Sequence, residues 1–264
     1  MSPNWGISNY YAATFKTERR MRNGIGWTIS YTHTQWIDNI RFIGNADTFG
    51  TNYYPQSVYD LRNERASSAS RLPHRVVSAP MYDLPFGHNR RWGKQWPKLL
   101  NAIAGGWQVS AINMMQSGGY IGTIVQGGQN IKGDFSFGHV LRPNLTGAPF
   151  EHPTQSAPTP NFNGAIDWLN PDAFEVPERF TLGDAARNLP GIRGPWLFDL
   201  DMLLAKNFYW GERWRAQFRA EVFSMTNTPH FALPNTSVGA GNFGLITGTY
   251  GGRRVMEFGM RITF

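Results

Sequence analysis

Apolar and polar side chains alternate most regularly between residues 213 and 264. Trp214, Ala216, Phe218, Ala220 and Val222 hold one parity, and Arg215, Gln217, Arg219 and Glu221 the other. Met256, Phe258, Met260, Ile262 and Phe264 then share a parity against Glu257, Arg261 and Thr263. Successive side chains of a strand point to opposite faces, so each run predicts a strand with one apolar and one polar face. A soluble sandwich can show this pattern. Strands this long, the last closing on Phe264, fit better a membrane barrel with lipid outside and a polar lumen.

The same period recurs upstream. Residues 10–20 predict a first strand and 25–34 a second, joined by the polar turn 20–24 with its Asn23-Gly24 signal. Residues 37–72 are polar and read as a long loop. A third strand is expected at 75–84, weakened by Pro80, which lacks a ladder donor. Residues 88–105 form a basic, Trp-containing connection with a helical turn or two at 97–104. A fourth strand covers 107–117. Residues 118–195 show scattered Pro, Gly and Asn and little periodicity, and read as a very long loop. Strands at 198–208 and 214–225 flank a tight turn at 209–212. A loop at 226–250, with room for a short strand at 243–249, precedes the last strand at 254–264. Long and short connections thus alternate, as in barrels with short periplasmic turns and long extracellular loops. The expected fold is all-β, about seven antiparallel strands of a larger transmembrane β-barrel, with long extracellular loops.

Composition narrows the partners. The chain has 264 residues, 25 basic and 18 acidic, for a formal charge of +7. The cations are spread without a dense cluster, which argues against nucleic acid. Cysteine is absent, excluding disulfides and thiolate metal sites. Aromatics reach 14%, which suits either interfacial girdles or a sugar-binding surface. No run approaches the roughly 18 apolar residues of a transmembrane helix. The start, Met1-Ser-Pro-Asn-Trp, has no signal-peptide character. An exported barrel needs one, so a longer natural N-terminus is expected.

Several motifs, in this order, resemble the Oar-like TonB-dependent outer-membrane transporters. They are residues 10–20, 26–34, 74–87, Gly-Gly-Trp-Gln-Val-Ser (105–110), Gln-Ser-Gly (116–118) and Arg-Pro-Asn-Leu (142–145). They continue with Trp-Leu-Asn-Pro-Asp-Ala-Phe (168–174), Ala-Arg-Asn (186–188), Ala-Lys-Asn-Phe (205–208), residues 217–223 and Thr-Asn-Thr-Pro-His-Phe (226–231). The resemblance implies the C-terminal part of a barrel of about 22 strands. Its plug and N-terminal domains match no stretch of this chain. It further implies outer-membrane lipid and the barrel-assembly machinery as partners, an unidentified extracellular ligand, and TonB coupling through the plug. Gly259, Ile262 and Phe264 fit the C-terminal assembly signal, although Phe258 stands where a polar residue is usual. Pro80 likewise replaces an aromatic or small polar residue.

No bond chemistry or cofactor is expected. Asp199 and Asp201 share a strand face; a glycosidase pair or a calcium site is one reading. The reading taken is a lumen charge ladder with Arg215, Gln217, Arg219, Glu221, Glu257 and Arg261. His74, His88, His139, His152 and His230 lack metal-ligand spacing, so no metal is assigned. Trp27, Tyr31, Trp107, Trp210 and Trp214 read as an aromatic girdle, against plain core packing. The alternative function is a soluble or cell-surface all-β protein binding carbohydrate. A small autonomous porin is disfavoured by an odd strand count. Two finer expectations follow. The edges at 10–20 and 254–264 should make the isolated chain aggregate. A hairpin centred on Trp210 should set Asp201 opposite Arg219.

Overall fold

A computed structural model describes residues 6–39, 55–57, 59–88, 90–126, 141–153, 164–210 and 214–264. Seven long strands follow one another in space as in sequence. They are β1 (Ser8–Arg22), β2 (Ile25–Asp38), β3 (His74–Asp83), β4 (Trp107–Gln116), β5 (Leu197–Trp210), β6 (Trp214–Phe223) and β7 (Val255–Thr263). Each adjacent pair is antiparallel. Among the described residues β1 and β7 each have one neighbour along this path. Three strands run longer than their alternation predicts: β1 spans Ser8 to Arg22, β2 continues to Asp38, and β5 runs on to Trp210.

Local chemistry fixes the first hairpin. Asn23 and Gly24 both have positive φ, 57° and 80°. This is the backbone of a type I′ turn, whose twist matches the flanking strands. The ladder shifts register between Arg19 and Arg22, marking a bulge beside the turn. Pro80 leaves a different mark. Trp27 remains its partner on β2, but the β3–β4 ladder stops at Ser78↔Asn113 and resumes at Met81↔Ser110. The missing N–H interrupts one ladder without ending the strand.

The register carries a single parity across all seven strands. One face collects Phe15, Trp27, Ile29, Tyr31, Val76, Tyr82, Val109, Leu204, Phe208, Phe218, Met256, Phe258, Met260 and Ile262. The other collects Thr14, Lys16, Glu18, Thr28, Ser30, Thr32, Arg75, Gln108, Asp199, Asp201, Asn207 and the polar residues of β6 and β7. Alternation is weakest in β3 and β4, where Val77, Ile112 and Met114 fall on the polar face.

The apolar face is not a core. Phe15 is 69% exposed and Phe258 71%. The buried cluster lies elsewhere: Ile121, Ile124, Ile166, Trp168, Leu169, Ala173, Phe174, Leu189, Ile192, Val238, Phe243 and Ile246 all belong to the two long connections 117–196 and 224–254. The reading of 118–195 as a very long loop is corrected to a packed body, and the short strand allowed at 243–249 is found at Leu245–Ile246. Two short ladders bind these connections together, Leu245–Ile246 to Ile166–Asp167 and Ser237–Val238 to Val125–Gln126, and a third, His230–Phe231 to Thr249–Tyr250, closes the second connection on itself. The expected loop 37–72 also contributes, since Ala66–Ser67 pairs with the end of β2 and Arg62–Glu64 is a 3₁₀ turn. All three long connections leave from the sheet end opposite Asn23-Gly24.

The opposite end carries the short links and the connection 84–106. Its helix α1 (Lys98–Ala104) lies where one or two helical turns are expected.

Candidate functional site

Among the described residues, the polar sheet face and the loop cap above it both organise polar side chains. On the face, Asn207 Oδ1 accepts from Arg215 Nη2 and from Gln217 Nε2, each at 3.0 Å. Arg219 Nε donates to Gln217 Oε1 at 2.9 Å and approaches Glu221 at 3.9 Å. On β7, Arg261 lies opposite Gln217 and Glu257 opposite Glu221, a like-charge pair. Gly259 lies opposite Arg219. The result is a chain of hydrogen bonds that fixes the Arg215 and Arg219 guanidinium groups, with Glu221 within ion-pair range of Arg219.

Asp199 and Asp201 do something else. Positions facing each other on β5 and β6 sum to 424, as Met202↔Val222 and Ala205↔Arg219 show. The expected sum of 420 is wrong by a two-residue shift of the turn centre. Tyr209 and Trp210, both good strand formers, continue the ladder instead of turning, and Trp210 pairs with Trp214. Asp201 is therefore not opposite Arg219. Its Oδ1 accepts from the Ser224 backbone N–H at 2.8 Å, and Asp199 Oδ1 accepts from Ser224 Oγ at 2.9 Å. Ser224 has φ 46°, so the two carboxylates hold the left-handed turn that ends β6. The arginine ladder begins beyond their reach.

The cap is held by two buried ion pairs absent from the sequence-derived site. Arg142 Nη2 meets Glu64 Oε1 at 2.8 Å, and Arg187 meets Asp38 at the end of β2. Gln56 bridges the first pair: its Oε1 accepts from Arg142 N and Nε, and its own N–H reaches Glu64 Oε1. Gln56 Nε2 donates to the Gly183 carbonyl at 2.7 Å. A Cβ at Gly183 would stand 1.9 Å from the Arg142 carbonyl oxygen, so only glycine permits this approach. Arg187 also reaches the Glu64 carbonyl, Asn188 the Ser67 carbonyl, and Arg193 the Arg71 carbonyl. Burial lowers the Arg142 guanidinium below its ordinary pKa, and Glu64 opposes that shift. Arg193 is lowered by burial and then by Arg71. These charges are withdrawn from water and used internally. They join the segment 55–72, the connection 117–196 and the end of β2 into one body.

Four of the motifs read as isolated likenesses converge here. Arg142 opens the 142–145 motif, Arg187 and Asn188 close the 186–188 motif, and Ala173 and Phe174 of the 168–174 motif sit in the core. Trp168 Nε1 donates to the Arg193 carbonyl at 2.8 Å. Asn170 accepts from Asp172 N and starts the 3₁₀ turn Pro171–Ala173. Ser117 of the 116–118 motif donates to and accepts from the His74 backbone. Sequence order alone could not bring Glu64 or Asp38 to these arginines; the sole signal was the arginine within each motif.

The aromatic residues divide. Trp27, Trp107, Trp210 and Trp214 lie within three residues of the sheet end that bears Asn23-Gly24. Tyr31 lies mid-strand, with its hydroxyl 2.8 Å from His74 Nδ1. Arg19 sits 5.1 Å over the Trp27 ring. Phe264 packs 5.3 Å from Trp214, and Ile262 shares the apolar face with Met260.

A long antiparallel sheet, apolar on an uncovered face and polar on the other, is the wall of a membrane barrel. Residues 1–257 match the outer membrane beta barrel domain model, and the chain belongs to that family. It is an outer-membrane protein. No curated protein and no solved structure matches it.

Proposed function

We propose that the chain supplies wall and external cap to an Oar-like, TonB-dependent transporter that moves an extracellular ligand across the outer membrane without altering its bonds. The observation that carries this reading is the meeting of four of the resemblance motifs, at 116–118, 142–145, 168–174 and 186–188, at one ion-paired cap on a single end of the sheet. The cap is the extracellular gate, and Arg215, Gln217, Arg219, Glu221, Glu257 and Arg261 line the permeation surface. A plug elsewhere in the full-length protein supplies the coupling to TonB.

The test uses the full-length gene product in detergent with the purified periplasmic domain of TonB. Saturable binding, lost when the segment preceding the plug is deleted, is expected. Absence of binding overturns energised transport and leaves a passive barrel. Orientation is tested separately, because the chain has no cysteine. A Gly147→Cys variant should react with a membrane-impermeant maleimide in intact cells. Reaction only after permeabilisation reverses the assigned sides.

A further inference from the structure

The connection 84–106 inverts the usual rule for a short surface helix. In α1, Asn101 is turned inward: its Oδ1 accepts from His88 N at 2.8 Å. Leu99 and Ile103 point outward, 75% and 63% exposed, and Trp92 of the same connection is 51% exposed. Phe86 packs on Trp92 and Trp96, at 5.5 and 6.4 Å. A helix that ties its asparagine to the neighbouring loop and shows its leucines is shaped for an apolar medium.

The element joins the sheet on its apolar side. Trp107 Nε1 donates to the Ile103 carbonyl at 2.9 Å. Lys206, on the same face, donates to the Gly105 carbonyl, with its ammonium 5.2 Å from both the Trp107 and Phe208 rings. The apolar surface of the wall therefore continues onto α1. Charge supplies the second observation. Residues 84–106 contain Arg90, Arg91, Lys94 and Lys98 and no Asp or Glu. Arg90 is paired with Asp83 at 3.1 Å. Arg91, Lys94 and Lys98 are exposed and form no ion pair among the described residues. Arg91, 5.4 Å over the Trp92 ring, Lys94 and Lys98 thus give three cations without an ion pair to the connection that bears these outward apolar side chains.

We infer that 84–106 is an interfacial anchor for anionic phospholipid headgroups of the periplasmic leaflet. Leu99, Ile103 and Trp92 enter the acyl boundary, and Arg91, Lys94 and Lys98 meet the phosphates. The inference rests on the orientation given under Proposed function. It adds a lipid-selective contact to a wall that otherwise needs only hydrocarbon.

The experiment reconstitutes the full-length protein in nanodiscs of phosphatidylethanolamine, with or without phosphatidylglycerol, and measures retained phosphatidylglycerol by native mass spectrometry. Selective retention is expected. Basic residues near an anionic surface contribute about fivefold each, so Arg91→Ala/Lys94→Ala/Lys98→Ala should lose about a hundredfold of the preference. Lys16→Ala on the polar face should lose none. An unchanged preference in the triple variant overturns the inference. So does a nitroxide at Ile103→Cys that is accessible to a polar relaxant rather than to oxygen, the outcome expected of a docking site for a periplasmic protein. A maleimide reacting with Lys98→Cys in intact cells instead refutes the orientation itself, and with it the leaflet assigned.

Discussion

The wall and the cap use the same residue types in opposite ways. Phe258 in β7 is 71% exposed, while Phe174 in the cap is 6% exposed. In the wall, backbone hydrogen bonds set the structure and lipid supplies the apolar contact. In the cap, strands of two residues contribute little, and a conventional core with two buried ion pairs sets the structure. The wall is therefore a structure only with its solvent, and the cap carries its own interior. A perturbation should strike one or the other according to which device it removes.

The largest separation is expected from Arg142→Ala. It leaves the Glu64 carboxylate buried without its cation, which typically destabilises by about 3–5 kcal/mol. Hydrogen exchange should rise across 55–72 and 141–192, while the β5–β6 and β6–β7 ladders keep their protection. Equal loss in the ladders shows that wall and cap form one cooperative unit. Leu169→Ala tests the apolar half of the cap. Leu169 is 2% exposed, and such truncations cost about 2–5 kcal/mol. Limited proteolysis of the cap should accelerate, with heat-modifiable gel mobility unchanged.

The wall responds to charge by face. Ile29 and Thr28 are neighbours on β2 with opposite orientations, and Thr28 lies opposite Glu18. Arginine at the bilayer midplane costs about 2–4 kcal/mol on the lipid side and falls towards the interfaces. Ile29→Arg should lower the unfolding midpoint in vesicles by that order. Thr28→Arg, facing a carboxylate, should leave it nearly unchanged. Similar losses from both would mean that the two faces do not differ in solvent.

This contrast explains what was legible in the chain. The wall follows from a period of two, so Trp214–Phe223 and Val255–Thr263 were readable as two-faced strands before any coordinates. Pro80 also spoke in advance, though it interrupts one ladder rather than weakening the whole strand. The cap has no such period. Its core residues come from segments 121–124, 166–192 and 238–246, too short to show a repeat, and its arginines find partners about a hundred positions away, as with Arg187 and Asp38, |i−j| 149. Long-range pairing of that kind leaves only local marks: a Gly where backbones touch, or an Arg inside an otherwise neutral motif. The Asp199 and Asp201 pair was visible as a pair, but its partner Ser224 depends on a register that the turn residues left open.

That register gives the smallest and sharpest effect. Exposed cross-strand charge pairs contribute roughly 0.2–1 kcal/mol, too little to have chosen between hairpin alignments by itself. The alignment follows instead from the strand propensity of Tyr209 and Trp210, which moves the centre of the ladder by two residues and every facing pair by four. Asp201 and Arg219 are then about 13 Å apart along the strands, four steps of roughly 3.3 Å. A double-mutant cycle between them should give no coupling. Cysteines should report the same geometry more directly, because the chain has none of its own. Ala205 and Arg219 are Cα partners, so Ala205→Cys/Arg219→Cys should cross-link under mild oxidation, whereas Asp201→Cys/Arg219→Cys, beyond the 7 Å Cα limit of a disulfide, should stay reduced. The reverse pattern restores the alignment centred on Trp210. It also releases Asp201 from Ser224, leaving the turn above β6 without the acceptor that now fixes its backbone.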